Sequence, residues 1–251
     1  MTEVLVAQQL IVDIGNTSAK VFFFEGDTLL EEFRVAHDGL CSLLATQVAL
    51  RDIRAAILSS VVPLSDAMEE AIGNLPCHCL RMSSQLKLPF TTLYKTPHTL
   101  GPDRLAAAVG AWCHCPHNNL LVIDIGTAIT YDIVTADALH LGGNISPGID
   151  MRLKALNHFT GKLPLVSKEG ERAAIGNTTE TALREGVLQG VCYEIEGYMR
   201  AYANKYDRLL IFLTGGDANL LDNQTKSRTF ADGLLVAKGL NHILLLNDET
   251  N

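Results

Sequence analysis

One short pattern occurs twice in this chain of 251 residues and constrains its fold more than any other feature. Residues 10–24 and 120–134 each contain an apolar segment that ends in Asp-Ile-Gly, then small or hydroxyl residues, then a second apolar segment. Each apolar segment is too short for a helix and suits a buried strand, and the glycine allows a tight turn between two strands. The two predicted hairpins therefore indicate a duplicated domain with a nucleotide between its halves.

The acids of the repeated pattern, Asp13 and Asp124, lie in otherwise apolar strands. A carboxylate in such a position is costly unless a cation or hydrogen bonds satisfy it. Glycine after each acid lets backbone N–H groups approach a phosphate, and Lys20 adds a positive charge to the first hairpin. Mg²⁺ commonly binds through one or two carboxylates together with substrate phosphates. The pattern predicts two phosphate-binding hairpins, although a single copy is equally typical of a simple glycine turn.

Composition and missing motifs exclude several classes of protein. A hydrophobic content of 47% with 19% charged residues is typical of a globular domain, and a net charge of -8 argues against binding to nucleic acid. No run of 18 apolar residues predicts a membrane span, and residues 1–10 lack the positive start of a signal peptide, so a cytoplasmic location is expected. Neither a P-loop nor a Gly-x-Gly-x-x-Gly fingerprint follows the first strand.

The order of the elements predicts an α/β fold in two halves, residues 1–115 and 116–251. Each half begins with strands in a meander and continues with alternating helix and strand, which differs from a plain doubly wound sheet. Three local expectations follow from the sequence. We predict that residues 142–148 form a loop, that Asn177 caps the long helix with Glu180 in capping-box position, and that residues 230–246 form a largely helical end.

Two Cys-His-Cys triplets, residues 77–79 and 113–115, hold four of the six cysteines. Zinc sites generally place two to four residues between the members of a close cysteine pair, so the single intervening residue disfavours a metal site. Small buried apolar thiols are the favoured interpretation, disulfides are not expected in a cytosolic enzyme, and the triplets receive no function.

Four motifs together resemble the type III pantothenate kinases, a family within the superfamily of acetate and sugar kinases, Hsp70 and actin. They are residues 13–20, 101–104, 124–130 and 176–180 with Gly186. The glycine-rich segment 142–148, the turn at Thr214-Gly215-Gly216 and the chain length agree with this resemblance. One departure is Pro102, where the family more often has a small residue, and it leaves Asp103 and Arg104 in place.

The resemblance implies two ribonuclease-H-like, actin-like halves with ATP in the cleft, and transfer of the γ-phosphoryl group of ATP to pantothenate. It implies that Asp103 is the general base. The implied ATP-binding residues are Asp13, Ile14, Gly15, Asn16, Thr17, Ser18, Ala19, Lys20 and Thr127. The implied pantothenate-binding residues are Tyr94, Gly101, Pro102, Asp103, Arg104 and Thr179. Asp124 would bind a monovalent cation, K⁺ or NH₄⁺, beside the Mg²⁺ that accompanies ATP, and the enzyme would be a homodimer.

Alternatives remain open from the residues alone. An isolated Asp-Arg pair such as Asp103-Arg104 is more often a helix-terminal acid and a solvated charge than a reaction centre. Gly186 and Gly190 lie one helical turn apart, which suits either packing within the chain or a dimer seam. Two other functions fit the same hairpins, namely another small-molecule kinase of the superfamily and a nucleotide-dependent assembly protein.

Overall fold

A computed structural model describes residues 7–220 and 229–248. Its strands are β1 (Gln8–Ile14), β2 (Ala19–Glu25), β3 (Thr28–Val35), β4 (Ile53–Ser60), β5 (Cys79–Arg81), β6 (Thr91–Thr92), β7 (Leu120–Ile125), β8 (Ala128–Thr135), β9 (Leu139–Pro147), β10 (Leu210–Thr214) and β11 (Thr229–Ala231). Its α-helices are α1 (Leu40–Val48), α2 (Asp66–Gly73), α3 (Pro102–His114), α4 (Ile149–His158), α5 (Thr179–Ala203) and α6 (Leu235–Asn247). Short 3₁₀ turns lie at His37–Gly39, Pro97–Thr99 and Ala218–Leu220.

The two sheets repeat one topology. The first has the order β3-β2-β1-β4-β5, and five strands of the second have the corresponding order β9-β8-β7-β10-β11. In both, the first three strands form an antiparallel meander and the next two lie parallel to the first. The predicted α/β class and the repeated hairpin are therefore confirmed. Both Asp-Ile-Gly patterns lie at the end of the central strand of their sheet.

Two compact units carry these sheets. One consists of the described residues through Pro116 together with those from Leu234 onward, and the other consists of the described part of His117–Gly233. Because α6 belongs to the first unit, the end of the chain groups with its beginning. The predicted division into residues 1–115 and 116–251 instead assigned α6 to the second half. Each unit has its own apolar core between its sheet and its helices.

Helix α6 joins the first unit because two glycines let it cross α3 closely. A Cβ atom built on Gly239 would lie 1.8 Å from the carbonyl oxygen of Ala106, and one on Gly110 would lie 2.2 Å from that of Leu235. Any larger residue at either position would force the helices apart. Asn241 adds a hydrogen bond of 2.7 Å from its amide nitrogen to the carbonyl oxygen of Gly26.

Two of the three local expectations were wrong, each for a physical reason. Most of residues 142–148 belongs to β9, because pairing with β8 overrides the low strand propensity of its glycines. The cap of α5 is Thr178, whose hydroxyl accepts from the N–H of Thr181 at 3.1 Å, while the Thr181 hydroxyl accepts in return from the N–H of Thr178. The third expectation is confirmed, since α6 makes the end of the chain largely helical, but the helix begins at Leu235 because residues up to Ala231 belong to β11, which pairs with β10.

None of the helices in the described ranges is both long enough and apolar enough to cross a membrane.

Candidate active site

The first Asp-Ile-Gly hairpin is a turn held by a backbone hydrogen bond and by side chains from β3 and the 3₁₀ turn at His37–Gly39. The N–H of Gly15 donates to the carbonyl oxygen of Ser18 at 3.1 Å, and the Arg34 Nε donates to the Ser18 hydroxyl at 3.1 Å. The ring Nε2 of His37 lies 3.0 Å from the carbonyl oxygen of Gly15. These contacts leave the Asn16 and Thr17 side chains exposed at the tip, where they are accessible to a ligand.

Asp13 is placed by strand register between a cation and a hydroxyl. On β2 its antiparallel partner is Lys20, and on β4 its parallel partner is Ser59. Burial raises the pKa of the Asp13 carboxyl from 3.8 to about 6, while the nearby Lys20 ammonium opposes this rise and the negative charge of Asp103 adds to it. The Ser59 hydroxyl also opposes the rise. An incompletely neutralised carboxylate at the base of a phosphate-type turn is suited to a cation carried by the ligand.

The start of α3 gathers the residues predicted to bind the acceptor. Gly101 is the N-cap and Pro102 the first helical residue, as expected for a proline without an N–H to donate. An Asp103 carboxylate oxygen accepts from the backbone N–H of Arg104 at 2.8 Å, and a Cβ on Gly101 would come within 2.5 Å of the same oxygen. The guanidinium of Arg104 lies over the Tyr94 ring, 5.5 Å from its centre.

Arg104 is nearly fully buried, so it is not the solvated charge of the alternative interpretation. Asp103 in turn is close enough to Asp13 to raise the pKa of that carboxyl. Within the first unit, the cluster at the start of α3 and the first Asp-Ile-Gly hairpin therefore lie near each other. Asp103 is held between Gly101 and the N–H of Arg104, an orientation that the sequence alone did not show.

The second hairpin surrounds Asp124 with glycine turns. On the neighbouring strands Asp124 is paired with Thr130 and Thr214. Gly215 has a φ of +96°, and a Cβ built on it would lie 2.4 Å from an Asp124 carboxylate oxygen, so a side chain is excluded there. The N–H of Gly148, at the start of α4, donates to the carbonyl oxygen of Thr127 at 3.1 Å. The second Asp-Ile-Gly and the late Gly-Gly turn thus meet at one carboxylate.

Thr179 lies elsewhere in the second unit, at the first position of α5, and its side chain is exposed. It borders a cavity of about 780 Å³ whose wall also contains Lys162 and Arg184. Arg184 is buried and donates to the carbonyl oxygens of Ser167 and Glu171, which holds the segment before α5 in place. The wall also contains Glu171 and Glu180, so its charged side chains balance, and the N-terminus of α5 is its remaining source of positive potential.

The comparisons with known proteins agree with these motifs. The family model described as type III pantothenate kinase matches residues 9–201. A type III pantothenate kinase of Phocaeicola vulgatus is 46% identical over 240 residues, which cover 96% of this chain and 99% of the relative. The chain belongs to the type III pantothenate kinase family.

Solved structures show the same fold. A protein of Campylobacter jejuni, described as a Baf family transcriptional activator, is 25% identical, with a TM-score of 0.63 over 95% of this chain and 98% of the other. A ROK family glucokinase of Streptomyces griseus, solved with glucose and AMPPNP, is 14% identical, with a TM-score of 0.55 over 96% of this chain and 99% of the other. The prediction of two ribonuclease-H-like halves is confirmed for this member of the type III pantothenate kinase family.

Three residues near the first hairpin of this family member were missed in the sequence: Arg34, His37 and Ser59. Arg34 and His37 brace the turn from β3 and from the segment that follows it. Ser59 faces Asp13 only because β4 pairs with β1 in one particular register. None of the three belongs to a recognisable motif, and only the three-dimensional pairing brings them to the hairpin.

The cysteines of the two triplets are less buried than the sequence predicts. All six thiols are free, and only Cys192 is buried, whereas Cys113 is exposed, so the expectation of small buried thiols was wrong for most of them. Burial nevertheless raises the pKa of Cys79 to about 12, and burial together with Asp27 raises that of Cys113 to about 11. These thiols are protonated near neutral pH and are poor nucleophiles.

Proposed function

We propose that this chain transfers the γ-phosphoryl group of ATP to the primary hydroxyl of pantothenate, giving 4'-phosphopantothenate in the first step of coenzyme A biosynthesis. The observation that carries the proposal is the position of Asp103. Its carboxylate is oriented by Gly101 and the Arg104 N–H, and it is close enough to Asp13 to affect that residue's pKa. A general base beside a phosphate-binding hairpin is the arrangement that phosphoryl transfer to an alcohol requires.

Asp103 would accept the proton of the pantothenate hydroxyl. The hydroxyl oxygen would attack the γ-phosphorus while the bond from that phosphorus to the leaving ADP oxygen breaks. A carboxylate is a weak base toward an alcohol, so this transfer would occur late, when the bond to phosphorus has begun to form. Tyr94, Gly101, Pro102, Arg104 and Thr179 would hold pantothenate. Residues 13–20 with Thr127 would hold the phosphates of ATP.

The residues of the first hairpin fit a divalent cation. Asp13 and Asp103 are like charges near each other, and burial disfavours ionised Asp13, so a cation would relieve both costs. Among the described residues no group of three or more His, Cys, Asp or Glu side chains could by itself hold a metal, and Mg²⁺ usually needs only one or two carboxylates when phosphates complete its shell. Asp13 would therefore hold Mg²⁺ together with ATP. Bound Mg²⁺ supplies neutralisation of phosphate charge.

Asp124 would bind the monovalent cation, K⁺ or NH₄⁺. Its carboxylate lies against Gly215, where an added Cβ would come within 2.4 Å of a carboxylate oxygen, and Gly126 lies at ordinary contact distance. Carbonyl and hydroxyl oxygens nearby, such as those of Ile125 and Thr214, are ligands suited to such an ion. The cation would neutralise a carboxylate that would otherwise repel the phosphates.

The proposal predicts that the purified protein consumes ATP when pantothenate, Mg²⁺ and K⁺ are all present, and that replacing K⁺ with Na⁺ lowers turnover at least about tenfold. A coupled assay of ADP release measures the rate, and mass spectrometry identifies the product. A panel of sugars and acylated amino acids serves as the control for acceptor choice. If the protein phosphorylates a sugar and does not phosphorylate pantothenate, the proposed function is wrong and the protein is another kinase of the superfamily. Equal rates in K⁺ and Na⁺ would contradict the role of Asp124.

We also propose that the enzyme is a homodimer formed through one face of α5. Cβ atoms built on Gly186, Gly190 and Gly197 would meet nothing within 4 Å, and Tyr193 on the same helix is 65% exposed. The apolar stripe that packs within the unit lies on the opposite side of the helix and includes Val187, Val191 and Ile195. The glycines are thus not used for packing within this unit, and a second copy would explain them.

The dimer predicts that Gly190→Arg, which adds a long charged side chain to the seam, converts the protein to a monomer without unfolding it. Analytical ultracentrifugation measures the mass, and circular dichroism checks the fold. Lys205→Arg, just beyond the end of α5, is the control for an added guanidinium. A parent protein that sediments as a monomer would contradict the proposal.

Since ATP is its substrate, we place the enzyme in the cytoplasm.

A further inference from the structure

Ser59, at the end of β4, has a hydroxyl that the proposed reaction does not yet use. Its side chain is 0% exposed, and among the described residues its Oγ has no hydrogen-bond partner. A buried polar group without a partner lowers stability, and native proteins contain few of them. An unpartnered hydroxyl near the end of a well-formed parallel pair of strands is therefore a candidate for a hydrogen bond that forms only when a ligand is bound.

Strand register places this hydroxyl beside the first hairpin. Four side chains form a row across neighbouring strands, in the order Arg34, Lys20, Asp13 and Ser59. Residues directly opposite in a sheet project from the same face, so the row brings two cations, one carboxylate and one hydroxyl together. Ser59 is the end of this row and has Asp13 as its polar neighbour.

The relation between Ser59 and Asp13 is close but incomplete. The hydroxyl is near enough to favour the ionised form of the Asp13 carboxyl, yet its oxygen makes no hydrogen bond of normal geometry. A small rotation of either side chain would complete the bond, since the two residues are already aligned by the register of β1 and β4. A ligand that binds with a cation would rotate the Asp13 carboxylate toward that cation, and this rotation would complete the hydrogen bond with Ser59.

We propose that Ser59 is a positioning residue for phosphoryl transfer: when ATP and its divalent cation are bound, the Ser59 hydroxyl donates a hydrogen bond to Asp13 and fixes the direction of that carboxylate. The inference rests on the proposed function in that it takes the first hairpin as the ATP site. It assigns Ser59 no contact with the phosphates. The hydroxyl would satisfy one lone pair of Asp13 and leave the other carboxylate oxygen available to the cation.

The test compares Ser59→Ala with Ser59→Thr, which keeps the hydroxyl. Titration calorimetry measures the Kd of MgATP without pantothenate, steady-state kinetics measures KM for ATP and kcat, and urea unfolding measures the midpoint of the free protein. We expect Ser59→Ala to raise the Kd for MgATP about tenfold, equivalent to about 1.4 kcal/mol, and to leave the urea midpoint unchanged or higher. Ser59→Thr should stay within about threefold of the parent Kd, because its hydroxyl is retained.

Ser60→Ala is the matched control. Ser60 is the next residue of β4, projects from the other face, and donates its hydroxyl to the carbonyl oxygen of Val62 at 2.7 Å. It should bind MgATP as the parent does. A parental Kd in Ser59→Ala, an equal loss in Ser60→Ala, or a loss in Ser59→Thr as large as in Ser59→Ala would overturn the inference. So would a Ser59→Ala protein that fails to fold, because the free protein loses no hydrogen bond in that variant.

Failure of this inference can be separated from failure of the proposed function. If the protein binds MgATP but phosphorylates another alcohol, the effect of Ser59→Ala on MgATP affinity is still expected. If pantothenate is phosphorylated and Ser59→Ala binds MgATP as tightly as the parent, the function stands and only the role of Ser59 is lost.

Discussion

Replacing Asp103 with asparagine is expected to lower the kcat for pantothenate by roughly 10³-fold and to change the Kd for ATP by less than about threefold. The variant removes the base but keeps the shape of the side chain. Its amide oxygen can still accept from the backbone N–H of Arg104, which the Asp103 carboxylate does at 2.8 Å, so the start of α3 should stay in place. Single-turnover kinetics would separate the chemical step from product release, and calorimetry would measure ATP binding.

A structural role would give a different result. If Asp103 served only as an acid in the first turn of α3, its loss would affect stability through the helix dipole by less than about 1 kcal/mol and would leave kcat near the parent value. Asp66→Asn provides the matched control, because Asp66 is an exposed acid in the first turn of α2. Near-parental turnover in Asp103→Asn would remove this residue from the mechanism, whereas an equal loss in Asp66→Asn would point to a general effect of the substitutions.

Much of the fold could be predicted from the sequence because its signals are local. The two Asp-Ile-Gly hairpins combine short apolar runs with glycine turns, and both hairpins form as predicted. The proline and acid that open α3 are likewise local signals. The strand at residues 142–147 could not be predicted from local signals, because this glycine-rich segment becomes a strand only through its pairing with β8. That pairing is a property of the whole sheet and leaves little trace in the segment itself.

The candidate site divides in the same way. The residues of each hairpin and of the segment 101–104 could be predicted because they stand next to one another in the chain. Arg34, His37 and Ser59 could not, because their contacts with the first hairpin depend on strand register and span more than 15 positions. The crossing of α3 and α6 at Gly110 and Gly239 was missed for the same reason, since those glycines look like helix defects in the sequence.

Replacing Asp13 with asparagine is expected to stabilise the free protein at pH 7.5 by about 1–2 kcal/mol while raising the Kd for MgATP at least about tenfold. Burial raises the pKa of the Asp13 carboxyl from 3.8 to about 6. The folded protein therefore holds this proton more tightly than the unfolded chain, and the parent loses stability as the pH rises from about 4 to about 6. The full pKa shift of Asp13 corresponds to about 3 kcal/mol of unfolding free energy. The expected gain in Asp13→Asn is smaller, because the variant buries an amide and loses the attraction between Asp13 and Lys20.

The pH dependence makes this prediction specific to Asp13. Near pH 4 the carboxyl is protonated in the folded protein, so Asp13→Asn and the parent should have similar free energies of unfolding; above pH 6 the difference should reach its full value and stay constant. Urea unfolding at pH 4, 5, 6 and 7.5 measures it, with the exposed Asp137→Asn as control. A loss of stability in Asp13→Asn that grows as the pH rises through 6 would show that the carboxylate stabilises the free protein and would contradict the prediction, whereas a loss that is equal at every pH would come from the amide rather than from the charge. A gain that appears with pH, together with weaker MgATP binding, would mean that the fold tolerates an unfavourable charge at Asp13 because the ligand requires it.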